Sequence, residues 1–159
     1  MTILTGGCQC GAIRFSCDGD KVSSVSICHC RMCQKAVGNY FAPFVAFEVG
    51  GVTWTRGNRK LYRSSNHVSR AFCADCGTPL TYEADGFEPS IAGGAFDDPA
   101  ALPPTVQYGV EAELPFTGGL SSLKRVRTDE GFEGAEFVAD VVSNQHPDHD
   151  TAVWPLPKA

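Results

Sequence analysis

Seven of the eight cysteines in this 159-residue chain fall into short-spaced groups: Cys8-x-Cys10, Cys28-x-Cys30-x-x-Cys33 and Cys73-x-x-Cys76. Such spacing puts two sulfurs on one side of a tight turn, where backbone N–H groups can support thiolates. Two pairs brought together supply the four sulfurs that a closed, structural Zn²⁺ requires. Gly11 and Gly77 directly follow Cys10 and Cys76, giving each knuckle an uncrowded exit. Seven sulfurs divide as four plus three, but spacing alone leaves the partition open. The central CxCxxC can donate two ligands to one ion and leave one thiol free, or give all three to a second ion. The second division leaves a zinc with an open coordination position, the mark of a catalytic site.

The remaining polar residues offer weaker chemistry. In an extended C-x-C the middle side chain points away from its neighbours, so His29 is expected beside the site rather than in it. Cys17 lies on the apolar face of a strand and reads as a buried, unreactive thiol. His146 and His149 in "HPDHD" and His67 in its turn read as solvated, and Asp75 as a turn residue. Arg63 and Arg70 bracket the segment leading into Cys73 and are candidates to hold substrate carboxylates bidentately, against the simpler reading of exposed strand charges. Phe41 and Phe47 share one face of an extended segment and Phe44 takes the other. Core packing is their first role, with one of them, Phe41, a candidate to line a substrate cleft.

The net charge of −5 and scattered Lys and Arg exclude the basic stripe that a nucleic-acid footprint needs. The densest basic run, Lys124 to Arg127, is followed at once by Asp129 and Glu130. "MTILTGGCQC" has neither a basic nor an apolar signal region, and no apolar run reaches the roughly 20 residues of a membrane span. Cysteine-rich chains without an export signal belong in a reducing compartment, so the cytoplasm is expected and a disulfide framework is the lesser alternative.

The elements that must position these groups are short. Seventeen glycines and ten prolines point to many turns and short strands, hence a mainly β domain. "GAIRFSC" alternates as a half-buried strand with Ile13, Phe15 and Cys17 inward, and "VSSVSIC" is a strand running into Cys28. "RMCQKAVG" predicts one or two helical turns ending at Gly38. "NYFAPFVAFEV" and "VTWTRG", separated by Gly50-Gly51, predict a hairpin, and "KLYRSS" and "VSRAFC" a second strand pair. "CADCGTPLTYEA" is a knuckle followed by a strand, and "FDDPAALPP" a helical turn capped by Asp97 or Asp98. From residue 111 the pattern weakens. "EGFEGAEFVADVV" fits a short helix or a strand, and Trp154 is expected to tack down an extended tail.

"GGCQCGAIRF", "CHCRMCQKAVG", "YRSS", "FCADCGTPL" and "DDPAALPPT" together resemble the GFA domain family, typified by glutathione-dependent formaldehyde-activating enzyme. The resemblance runs from about residue 5 to residue 108, with all seven motif cysteines in order. It implies an Mss4-like fold, several short coiled antiparallel β-sheets built around zinc, with a GFA zinc domain over 5–110. Residues 111–159 would then be a C-terminal extension packed on the same domain. It implies two zinc ions per chain: a structural one on Cys8, Cys10, Cys73 and Cys76, and a catalytic-type one on Cys28, Cys30 and Cys33. It also implies a carbon–sulfur lyase that condenses glutathione, or a related small thiol, with formaldehyde or another small aldehyde to a hydroxymethyl adduct.

Three protein thiolates leave a zinc site at −1 and a fourth makes it −2, a poor Lewis acid that favours thiol chemistry over water activation. The competing reading is a non-catalytic, zinc-stabilised binding module with two structural sites. It requires a fourth protein ligand from His29, His67, His146 or a second chain. A thiol redox protein cycling disulfides among Cys28, Cys30 and Cys33 is the third.

Overall fold

The computed structural model describes residues 2–155. Among the described residues ten strands form two sheets, joined by one α-helix and several 3₁₀ turns. The smaller sheet is antiparallel: β1 (Ile3–Gly7), β2 (Arg14–Asp18) and β5 (Val52–Arg56), with β2 central. The larger sheet contains β3 (Val22–Cys28), β4 (Ala42–Phe47), β6 (Lys60–Arg63), β7 (Val68–Phe72), β8 (Thr81–Ala84), β9 (Ser90–Ala92) and β10 (Val106–Tyr108). Its order is β10-β3-β4-β9-β8-β7-β6, antiparallel except for the β10–β3 edge. The mainly β expectation holds.

Alternation explains the core. Ile13, Phe15 and Cys17 are all buried, and Phe15 is fully enclosed, with ring centroids 5.2 Å from Phe96 and 5.8 Å from Trp54 in edge-on contacts. Val45 and Ile91 from the larger sheet, with Leu80 just before β8, close the same cluster. Arg14, on the opposite face of β2, departs from the half-buried pattern: it is 2% exposed. Its guanidinium reaches Asp97 at 2.5 and 2.8 Å and Asp150 at 2.8 Å, and Thr5 donates to Asp97 at 2.6 Å. Distant segments therefore cover a face that the local pattern leaves to water. Asp97 spends its carboxylate on this pair, and the 3₁₀ turn Pro99–Ala101 has Asp98 at its N-cap position without a capping side-chain bond.

The expected hairpin across Gly50-Gly51 does not form. β4 already has β3 on one edge and β9 on the other, so no backbone edge is free for β5. After the turn the chain changes sheets, and β5 pairs with β2 in the register Phe15↔Trp54 and Cys17↔Val52. The β6–β7 pair and the strand after the second knuckle do form as the sequence indicates.

Beyond Tyr108 the described residues form 3₁₀ turns at Val110–Ala112, Thr117–Ser122 and Glu136–Asp140, so "EGFEGAEFVADVV" becomes neither strand nor α-helix. The chain then returns to the β1–β2 corner. His146 N–H donates to Gln9 O at 2.7 Å and Trp154 Nε1–H to Cys10 O at 2.8 Å, which docks Trp154 as expected. His146 is not solvated. It is 5% exposed, with Nε2 3.0 Å from Thr151 Oγ1 and 3.4 Å from an Arg56 nitrogen.

Candidate metal centres

The first centre joins the turn after β1 to the knuckle after β7. The sulfurs of Cys8, Cys10, Cys73 and Cys76 all lie within 4.8 Å of one another. Cys8 and Cys10 are 3.5 Å apart, Cys10 and Cys73 3.8 Å. A disulfide needs about 2.05 Å, whereas a tetrahedron with metal–sulfur bonds of about 2.3 Å has edges of about 3.8 Å. Backbone and hydroxyl groups supplement the sulfurs: Ile13 N–H donates to Cys8 Sγ at 3.2 Å, and Thr78 Oγ1 lies 3.1 Å from Cys76 Sγ.

The thiols are electrostatically divided. Burial and neighbouring thiols push Cys10 up to about 12. At Cys76 burial acts the same way but is outweighed by hydrogen bonds, chiefly from Thr78, which bring it down to about 6. Four sulfurs this close cannot all ionise unaided, and a divalent cation removes that conflict. The donor set fits a metal.

The second centre is local. Cys28 ends β3, Cys30 is the N-cap of α1 (Arg31–Val37), and Cys33 lies in its first turn. Cys33 N–H donates to Cys30 Sγ at 3.4 Å, and Gly38 ends the helix in the left-handed conformation. The three sulfurs lie within 4.8 Å of one another. Burial raises Cys28 to about 12. At Cys30 it is overcome by the N–H groups of Cys33 and Met32 together with the neighbouring thiols, so that thiol ionises below its ordinary range. Among the described residues no histidine or carboxylate joins the group.

His29 is turned away, as expected: it is 2% exposed and hydrogen-bonds Gln107 Oε1 through Nε2 at 2.7 Å. His67 and His149 are exposed. The fourth protein ligand that a second structural site would need is therefore absent from the described part of this chain.

Residues remote in sequence hold this turn. Tyr108 O accepts from His29 N–H at 2.8 Å, and Gln34 Nε2 donates to His29 O at 2.7 Å and to Ala112 O at 3.1 Å. Gly109 has φ +66°, and a Cβ there would sit 2.7 Å from Cys30 N and 2.9 Å from Cys30 Cβ. Gln34, Gln107 and Gly109 were not singled out from the sequence. No spacing connects positions 107 and 109 to 28–33; only the parallel pairing of β10 with β3 does.

A cavity of about 310 Å³ opens onto all three sulfurs and is walled by Phe44, Val68 and Tyr82, with Arg70 beside them. A second cavity of about 670 Å³ shares Met32, Phe44 and Arg70 with it and carries Arg31, Lys35 and Tyr62. The first centre borders a third, more polar hollow of about 410 Å³ through Cys8 and Cys76, beside Arg14, Asp97 and His146.

Of the substrate candidates, Arg70 alone lines the cavity of the three-sulfur centre, and it donates to Cys33 Sγ at 3.3 Å. Arg63 is exposed and held by both carboxylate oxygens of Asp85 at 2.6 Å. Phe41 packs on His29, centroids 5.9 Å apart, and is not among the residues lining that cavity. Cys17 is buried, and its thiol is pushed up to about 12 by burial.

Fold and site together define a mainly β domain with two cysteine clusters, one of four sulfurs and one of three, each able to hold a metal ion. Residues 3–111 match the family model described as glutathione-dependent formaldehyde-activating enzyme, GFA. The chain belongs to this family, and the matched span contains all seven clustered cysteines. A crystal structure of a Rhodobacter sphaeroides protein, a structural genomics target, is similar over 65% of this chain and 98% of its own, at 20% identity and a TM-score of 0.49. No helix among the described residues is long and apolar enough to cross a membrane.

Proposed function

We propose that the protein is a zinc enzyme of the carbon–sulfur lyase type that joins glutathione, or a related small thiol, to formaldehyde or another small aldehyde. In this reading the fold is Mss4-like, with residues 111–159 an extension of the domain over 5–110, and the protein works in the cytoplasm. Cys8, Cys10, Cys73 and Cys76 hold a structural zinc. Cys28, Cys30 and Cys33 hold a second zinc with one position left for substrate. The observation that carries the proposal is the donor count: four sulfurs complete a tetrahedron, whereas three facing a cavity leave a vertex open. Family membership supplies the thiol and the aldehyde.

A zinc bound by the three cysteines supplies a substrate thiolate at neutral pH, where a free thiol with a pKa near 8.5 stays mostly protonated. The remaining work falls to the chain. Phe44, Val68 and Tyr82 wall the cavity with apolar surface and keep water from competing for the aldehyde. The reaction is balanced without a redox partner: the thiol gives up its proton, the sulfur forms a C–S bond as the carbonyl π bond breaks, and the oxygen that takes the π electron pair gains a proton. The sulfur occupies the three-cysteine cavity, and the larger cavity beyond Met32 and Phe44 has room and positive charge for the acidic body of glutathione.

The test is exchange spectroscopy on ¹³C-formaldehyde with glutathione and the metal-loaded protein. Adduct formation should accelerate above the uncatalysed rate, and Cys30→Ser should abolish the acceleration. A fully loaded, folded protein that leaves the rate unchanged overturns the assignment for this substrate pair.

A further inference from the structure

Two arginines are nine-tenths or more buried, and they are neutralised in different ways. Arg14 has Asp97 and Asp150. Arg70, in the middle of β7 and 7% exposed, makes no ion pair with a carboxylate among the described residues. Its contacts are the face of Tyr82, 5.2 Å from the ring centroid, and the hydrogen bond to Cys33 Sγ at 3.3 Å. Its Nε–H is buried without an acceptor. A buried guanidinium is costly unless something negative compensates it, and an orphaned buried N–H adds to that cost. The negative group it faces is the three-sulfur centre.

We infer that Arg70 is a positioning residue that sets the charge preference of the open site, so that an anionic sulfur is accepted there over a neutral ligand. The inference rests on the proposed open metal position. A divalent ion on three thiolates carries −1, and an incoming thiolate raises this to −2 in a largely apolar cavity. A fixed cation bonded to one of the three sulfurs offsets that increase, and it draws off electron density from Cys33 that would otherwise weaken the bond to a fourth thiolate. A neutral ligand leaves the centre at −1 and gains nothing comparable. Arg31 and Lys35 do not substitute, because they line the adjoining cavity rather than the one containing the sulfurs.

The experiment uses the full chain loaded with Co(II), whose sulfur-to-metal charge-transfer band reports ligation directly. Wild type, Arg70→Met and Arg70→Lys are titrated with 2-mercaptoethanol, an uncharged thiol whose only anionic atom is the bound sulfur, and separately with imidazole. Arg70→Met should weaken mercaptoethanol roughly 10- to 100-fold, the range for losing one charge-assisted contact. Imidazole affinity should stay within about twofold and Arg70→Lys should recover part of the loss. If Arg70→Met fails to retain the second cobalt, Arg70→Gln, which keeps an N–H donor for Cys33 without the charge, is read the same way. Equal thiol affinity in wild type and variant, or equal losses for thiol and imidazole, overturns this inference alone. A wild-type protein that holds two cobalt ions and takes up no thiol overturns the proposed open position and this inference with it.

Discussion

Removing one sulfur from each centre should have unequal consequences for stability. The four-sulfur centre ties residues 63 apart in sequence, linking the turn after β1 in one sheet to the knuckle after β7 in the other. Treated as a cross-link, a loop of that length restricts the unfolded chain by about 4 kcal/mol at 25 °C. The three-sulfur centre spans only residues 28 to 33, and the same relation gives about 2 kcal/mol. Cys76→Ser should therefore lower stability by about 4 kcal/mol or more, which for a chain of this size is roughly 10 °C in Tm. It should leave the chain near its unfolding threshold. Cys30→Ser should lower stability by about 2 kcal/mol or less and leave a folded protein with one tightly held metal. Urea unfolding of metal-saturated protein, paired with elemental analysis of the folded fraction, measures both quantities. If Cys30→Ser is as destabilising as Cys76→Ser, or if it loses both metals, the division into a structural and an open centre is refuted.

Two further outcomes follow from the packing. Asp97→Asn breaks a nearly buried pair, with side chains 3% and 12% exposed, and should cost about 3 kcal/mol in urea melts; Asp150→Asn, whose carboxylate is 51% exposed, should cost at most about 1 kcal/mol. Burial opposes the Asp97 charge, but Arg14 and Thr5 hold its folded pKa below the ordinary 3.8, so its contribution is complete above that pH and disappears as pH falls through the lowered value. The stability gap between wild type and Asp97→Asn should accordingly narrow in strong acid, and a gap that widens there would refute the pairing. Gly109→Ala forces a side chain onto Cys30 from a backbone conformation suited to glycine. It should weaken metal binding at the three-sulfur centre in chelator competition while leaving the four-sulfur centre unchanged; equal effects at both centres would contradict the role given to Gly109.

Much of the site was legible in one dimension because cysteine spacing is local geometry. A C-x-C or C-x-x-C holds its two sulfurs within reach of one ion wherever the turn ends up, and Cys30 as N-cap with Gly38 as terminator delimits α1 without help from other strands. The strand "GAIRFSC" was legible for the same reason, since alternation reports one face directly. Arg14 shows where this stops. Its burial depends on Asp97 and Asp150, 83 and 136 residues away, and no local pattern encodes which distant segment will cover a strand. The hairpin across Gly50-Gly51 failed on the same ground. The turn chemistry was right, but the edge it needed was already taken by β9.

The residue types and their order thus determined that this chain carries three short-spaced groups of thiols, a mainly β framework and the marks of the GFA family. Which cysteines meet, and what meets them, was decided only in three dimensions. Pairing of Cys8 and Cys10 with Cys73 and Cys76, the seating of Arg70 against Cys33, and the backing of His29 by Gln107 all depend on strand order. The reason is one of range. Side-chain spacing controls geometry over a turn or two, whereas contacts across tens of residues exist only once the sheets have formed.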